Sequence, residues 1–197
     1  MEITLNPILE GPYTILTGHF VAGRADETLL VLSRTMTAEG ELPMLLVDLA
    51  DGSVISRNTL NCAFALPMAE GLTREVAATV RTVTDGTEDS VILHFKARQA
   101  VYEGNARTGE FKNSGISLPD IATGVYASAN PGERYIVTLP EIEGEENRSF
   151  VVAYDNEGSN NGLLDVAFRE NVFYTARFWK DNEDTYVSAG SFNHIRC

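Results

Sequence analysis

The chain has 197 residues, 44% of them hydrophobic, two cysteines and a formal net charge of −13. That apolar share excludes disorder over the whole length, and two cysteines are too few for a disulfide framework or a thiolate zinc site. The charge falls seven before residue 106 and six after it, so neither half is an acidic tail, and with no basic run to neutralise phosphates nucleic acid is excluded as a partner.

The opening Met1-Glu2-Ile3-Thr4 carries neither a basic region nor an apolar one, and the longest apolar runs, 29–32 and 45–47, are far too short to span a bilayer. The expectation is synthesis in the cytoplasm with no signal peptide and no membrane span. From there the chain reads as short segments rich in β-branched and aromatic residues, at 13–20, 27–33, 44–48, 75–83 and 89–95. The stretch 69–83 also contains good helix formers, with Leu72, Val76 and Val80 at helical spacing, but only residues 68–72 are left as a short helical turn. Glycines and polar residues at 103–110 predict a linker or long loop near 103–117. Beyond it the strand pattern resumes at 124–127, 134–139, 149–154, 163–168, 172–179 and 185–188.

These two series are related. Sliding residues 121–159 under 15–53 without a gap sets Ile15, Thr17, Gly18, Glu27, Val31, Glu39, Gly52 and Ser53 on Ile121, Thr123, Gly124, Glu133, Val137, Glu145, Gly158 and Ser159. At a shorter separation Val76, Thr79, Arg81, Asp85 and Val91 fall on Val172, Thr175, Arg177, Asp181 and Val187. Leu60, Ala63 and Phe64 meet Leu164, Ala167 and Phe168, which places an insertion in the first copy near residues 65–72. Short strands, no long helical stripe and an internal repeat predict an all-β protein. It would consist of two tandem, internally duplicated antiparallel β-sandwich units, Ig-like or jelly-roll-like, at 1–105 and 106–197.

Candidate chemistry is sparse. His19 and His94 align with Val125 and Gly190, and His194 lies in the tail, so no histidine belongs to a feature that both copies share. No nucleophile elbow, zincin helix, phosphate loop or dinucleotide glycine pattern occurs. Cys62 aligns with Val166 and reads as a small core hydrophobe; a Cys62–His94 catalytic pair is the rival. The acidic turns 85–89 and 181–184 supply oxygen ligands of the kind calcium takes, against a plain reading as solvated turns. The Asn-rich loop 155–162 and Trp179, next to the second acidic turn, outline a site for sugar. Arg81 and Arg177 lie mid-strand among apolar neighbours, which calls for a carboxylate on an adjacent strand.

The expected function is therefore a non-enzymatic structural or interaction protein, with no catalytic residue, cofactor or metal assigned, acting as a component of a larger assembly. A bacteriophage virion protein, whether capsid decoration, cement or tail-associated, has this profile. Its partners would be itself or other protein subunits, met through the aromatic strand 172–179. The alternative is a carbohydrate-binding or toxin-like β-protein assisted by calcium.

Overall fold

The computed structural model describes residues 12–24, 26–66, 73–83, 87–120, 122–128, 132–139, 148–157, 160–167, 173–181 and 184–192, the last three segments and residues 148–151 as backbone alone. The protein is all-β. Strands β1 (Tyr13–Gly18), β2 (Thr28–Ser33), β3 (Glu41–Asp48) and β4 (Val54–Asn61) form one antiparallel sheet in the order β1-β2-β3-β4. A second runs β5 (Val76–Arg81), β6 (Ser90–Phe95), β7 (Ala100–Asn105) and β8 (Glu110–Asn113), and so continues across residue 105. A third is ordered β12-β11-β10-β9, from β9 (Gly124–Ala127), β10 (Glu133–Thr138), β11 (Arg148–Asp155) and β12 (Asn160–Ala167). β13 (Phe173–Asp181) and β14 (Asp184–Phe192) pair as a hairpin. The only helical turns among the described residues are the single 3-10 turns Ala63–Ala65 and Lys96–Arg98. No helix of the described residues is long and apolar enough to cross a membrane.

The sheet β5–β8 is central because its best strand is apolar on both faces. In β6, Val91, Leu93 and Phe95 enter a core with Leu30 and Leu32 of β2 and Leu42, Met44 and Leu46 of β3. Ile92, one residue out of phase, joins Val101, Val125, Tyr135, Val137, Val152 and Tyr154 in a second core against β9–β11. Side chains alternate across a strand, so one continuous apolar run serves two cores. The far side of the first sheet holds a smaller cluster of Val31, Leu45 and Val47, with Tyr13 and Leu29 against it.

Several local expectations change. Residues 103–117 are not a free linker: Glu103–Asn105 complete β7, a turn follows, and β8 pairs back on β7. Gly104 is there for close approach, since a Cβ on it would lie 2.6 Å from the Cα of Phe111. Asn58 of β4 pins the turn by donating from Nδ2 to the carbonyls of Ala106 and Arg107 at 2.9 and 3.0 Å. Ala65, placed at the start of an expected protrusion, is instead fully buried in the first core; residues 67–72, with the expected helical turn, lie outside the described residues. β4 was not anticipated at all.

Candidate functional site

The densest grouping of ionisable side chains among the described residues lies where the central sheet meets β10. Arg81 ends β5, Ser90 begins β6, Glu103 lies on β7, and Arg134 and Tyr135 are consecutive on β10. Arg81 and Ser90 are cross-strand partners, and Ile92 pairs with Glu103, so the pleat brings Glu103 diagonally within reach of both.

Glu103 accepts from Arg81 Nε at 2.6 Å, Ser90 Oγ at 2.6 Å, Tyr135 OH at 2.6 Å and Arg134 Nη2 at 3.3 Å. Arg81 Nη2 adds a longer bond to the other Glu103 oxygen at 3.4 Å and donates to the Arg134 carbonyl at 2.8 Å. The two guanidinium carbons each stand 5.1 Å from the centre of the Tyr135 ring, within cation–π range. The carboxylate that pairs with Arg81 is Glu103, in the same chain but one strand further than expected, on β7 beyond the adjacent β6. The side chain of Arg177 is not described.

The electrostatics follow from these donors. Burial pushes the Glu103 carboxyl up, but hydrogen bonds from Arg81, Ser90 and Tyr135, together with the Arg81 charge, outweigh it and hold the group at about 2. Burial, and then the hydrogen bond to Glu103, push the Tyr135 phenol well above its usual range. At neutral pH one group is a fully bonded anion and the other keeps its proton. Neither is a poised acid or base, so what the arrangement does is lock β10 onto the central sheet.

The same joint has further polar ties. Thr79 Oγ1 donates to the Val125 carbonyl at 3.0 Å, and Lys96 Nζ to that of Thr123 at 2.7 Å. Gln99, held in the left-handed region at φ 47°, donates to the carbonyls of Asp120 and Ala122 and accepts from His94 Nε2 at 2.8 Å. His94 is buried, and burial lowers its pKa against the opposing Gln99 bond. The ring is neutral, with its proton on Nε2; Nδ1 has no partner among the described residues.

The other candidates separate. Cys62 is wholly buried in the first core, and burial raises its thiol to about 12. Its neighbours there include Leu93 and Phe95, between which His94 alternates to the opposite face, so the Cys62–His94 pair is not formed. His19 contributes its backbone: its N–H donates to Asp89 Oδ2 and its carbonyl accepts from the Asp89 N–H, each at 2.8 Å. Asp89 Oδ1 takes the Val83 N–H at 2.9 Å, so this buried carboxylate ties the end of β1 to β5 and β6 and is not a solvated turn charge. Glu88 binds Arg107 Nε at 2.7 Å, the Ala22 N–H at 3.2 Å and the Asn105 amide. Residues 84–86, 182, 183 and His194 lie outside the described residues, as does the side chain of Trp179. Among the described residues no group of three His, Cys, Asp or Glu is placed to hold a metal ion.

Sequence reasoning missed Glu103, Tyr135 and Asp89 as organising residues. The one available signal was a lone Glu between Tyr102 and Gly104, with an Arg ending the segment 76–81. Among the described residues the large exposed hydrophobics are dispersed: Ile15, Val54, Phe64 and Tyr126. Phe64 stacks on Tyr102 at 4.4 Å and meets Phe95 edge-on at 5.3 Å. No family model, no curated protein and no solved structure matches the chain.

Proposed function

We propose that this chain is a non-enzymatic structural protein that acts through its surface as a component of a larger assembly. One observation carries the reading: the Glu103 cluster, which gathers two arginines, a serine and a tyrosine on one carboxylate, is saturated by internal bonds and joins two sheets. Capsid decoration, cement or tail-associated protein of a bacterial virus is the form the acidic, cysteine-poor, all-β profile favours.

The reading includes a duplicated origin. The displacement that sets Ile15 on Ile121 carries β4, Val54–Asn61, onto the bounds of β12, Asn160–Ala167. It also overlays β2 and β3 on β10 and β11 to within a residue, and β3–β4 and β11–β12 each shift register at the matching place, after Leu46 and Val152. The pairing differs in detail. Val31 faces Leu45, whereas Val137 faces Val152 and not Val151, a one-residue step that turns the other face inward. Two sandwich-like units that diverged by such a slip fit both facts.

The test is to fractionate the native material by size and follow this chain with an antibody. The reading predicts that it travels with particles far larger than itself. A chain found free at its own mass, and retained on a glycan array in the presence of calcium, would replace it with the carbohydrate-binding alternative.

A further inference from the structure

We infer that β1 is a self-association edge, at which two copies of this chain pair antiparallel about a two-fold axis through Ile15. This deepens the assembly reading by naming one contact surface and its occupant, and it rests on that reading only for its purpose.

The backbone fixes the direction. The Pro12 carbonyl accepts from the Arg34 N–H at 2.9 Å, so residue 12 faces β2. Alternation then turns Thr14, Leu16 and Gly18 towards β2, and Ile15, Thr17 and His19 away from it. His19 agrees, because both its backbone groups are bonded to Asp89 on that outer side. Among the described residues Ile15 and Thr17 have no such partner, and β1 is hydrogen-bonded in its sheet only to β2, although it also approaches β5. Their N–H and C=O groups form an open ladder.

The side chains point to a second copy as occupant. Ile15, in mid-strand, is 60% exposed, the highest value of any large hydrophobic described. The strand, Tyr-Thr-Ile-Leu-Thr-Gly, contains no charge, no proline and no register shift. Several other edges are blunted: β4 carries Arg57, β8 Glu110 and Lys112, and β12 Asp165, while β9 is only four residues long. Charged or short edges discourage strand addition and a neutral, regular one invites it. On a chain of net charge −13, an uncharged edge is also where two like molecules meet with least repulsion.

Symmetry and exposure together select the register. A two-fold axis perpendicular to the sheet keeps outer faces together, so Ile15 must oppose an odd-numbered, outward residue of the other copy, and opposing itself centres the isologous contact on the most exposed large apolar side chain described. Each Ile15 then gives its N–H to the other's carbonyl and covers the other's side chain, while Thr14 lies opposite Leu16. The product is a continuous sheet running β4-β3-β2-β1 into β1-β2-β3-β4 of the second molecule.

Sedimentation velocity on the full chain across a concentration series tests this, with Ile15→Lys as the breaking variant and Thr59→Lys, exposed on the opposite edge strand β4, as the matched control. The wild type and Thr59→Lys should dimerise alike, and Ile15→Lys should weaken the dimer at least about tenfold, since it sets two ammonium groups against each other on the axis. Amide exchange in the wild type gives a second readout that needs no variant: the Ile15 N–H should become protected as dimer forms. A dimer indifferent to Ile15→Lys would overturn the inference while leaving assembly through another surface intact. A wild type that stays monomeric with an unprotected Ile15 amide would also overturn it, whatever the size fractionation of native material returns.

Discussion

The two faces of the central sheet are joined to their neighbours by different physics. Towards β1–β4 the contact is mainly apolar, with Val91, Leu93 and Phe95 packed among leucines and methionines and wholly removed from water, and polar ties only at its margins, from Asp89 to His19, Glu88 to Ala22 and Asn58 to the turn after β7. Towards β9–β11 an apolar centre is ringed by bonds with fixed geometry: Thr79 to Val125, Lys96 to Thr123, Gln99 to Asp120 and Ala122, and Glu103 to Arg81, Arg134 and Tyr135. Apolar burial supplies stability without specifying a register, whereas a saturated buried carboxylate tolerates only one placement of its donors. Both interfaces hold sheets together, and both carry bonds that fix placement; in the first these lie at its margins, around Asp89 and Asn58, while in the second a single carboxylate gathers donors from three strands.

Substitutions can break this contrast in graded steps. Phe95→Ala should be the most damaging, at roughly 3–5 kcal/mol, because it removes a fully buried ring and leaves Phe64 and Tyr102 without their edge-on partner. Urea unfolding would read it as a lower midpoint at unchanged slope. Glu103→Ala should follow at about 3 kcal/mol, since it leaves Arg81, Arg134 and the Tyr135 hydroxyl without their shared acceptor. Its loss should appear first as amide exchange in β9 and β10, with β2 and β3 still protected; uniform loss would show that the two interfaces unfold as one. Cys62→Val, a swap between small apolar side chains in the first core, should cost under about 1.5 kcal/mol and leave the pH dependence of stability unchanged.

The contrast also explains what could be read from the sequence. β3 and β6 are legible because apolar residues concentrated over five or six positions have few alternatives to a strand buried on both faces. β4, Val-Ile-Ser-Arg-Asn-Thr-Leu-Asn, escaped notice because its alternation is carried by half-buried residues, with Arg57 and Asn58 masking the period. β7 and β8 were hidden by Gly104, Asn105 and Gly109, whose turn-forming chemistry is real but serves a tight hairpin and not a boundary. Arg81 announced a need for a carboxylate. Which one could not be seen, as Glu103 is 22 residues away and Arg134 and Tyr135 lie 31 and 32 residues from Glu103. Likewise Asp89 reads as one more acid in an acidic turn until the end of β1 arrives beside it.

An ionised, half-buried Glu103 holds the third sheet in place, and the pH dependence of Glu103→Gln tests this most directly. Glu103 sits at about 2 in the folded protein against an ordinary 4.5. Its folded pKa is depressed, so its contribution is fully present above the unfolded value and is lost as pH falls through the folded one. The stability gap between wild type and Glu103→Gln, measured by urea unfolding, should amount to about 3 kcal/mol at neutral pH. It should hold down to about pH 5 and close progressively towards pH 2. A gap that is absent at neutral pH, or that stays constant across that window, would contradict the account.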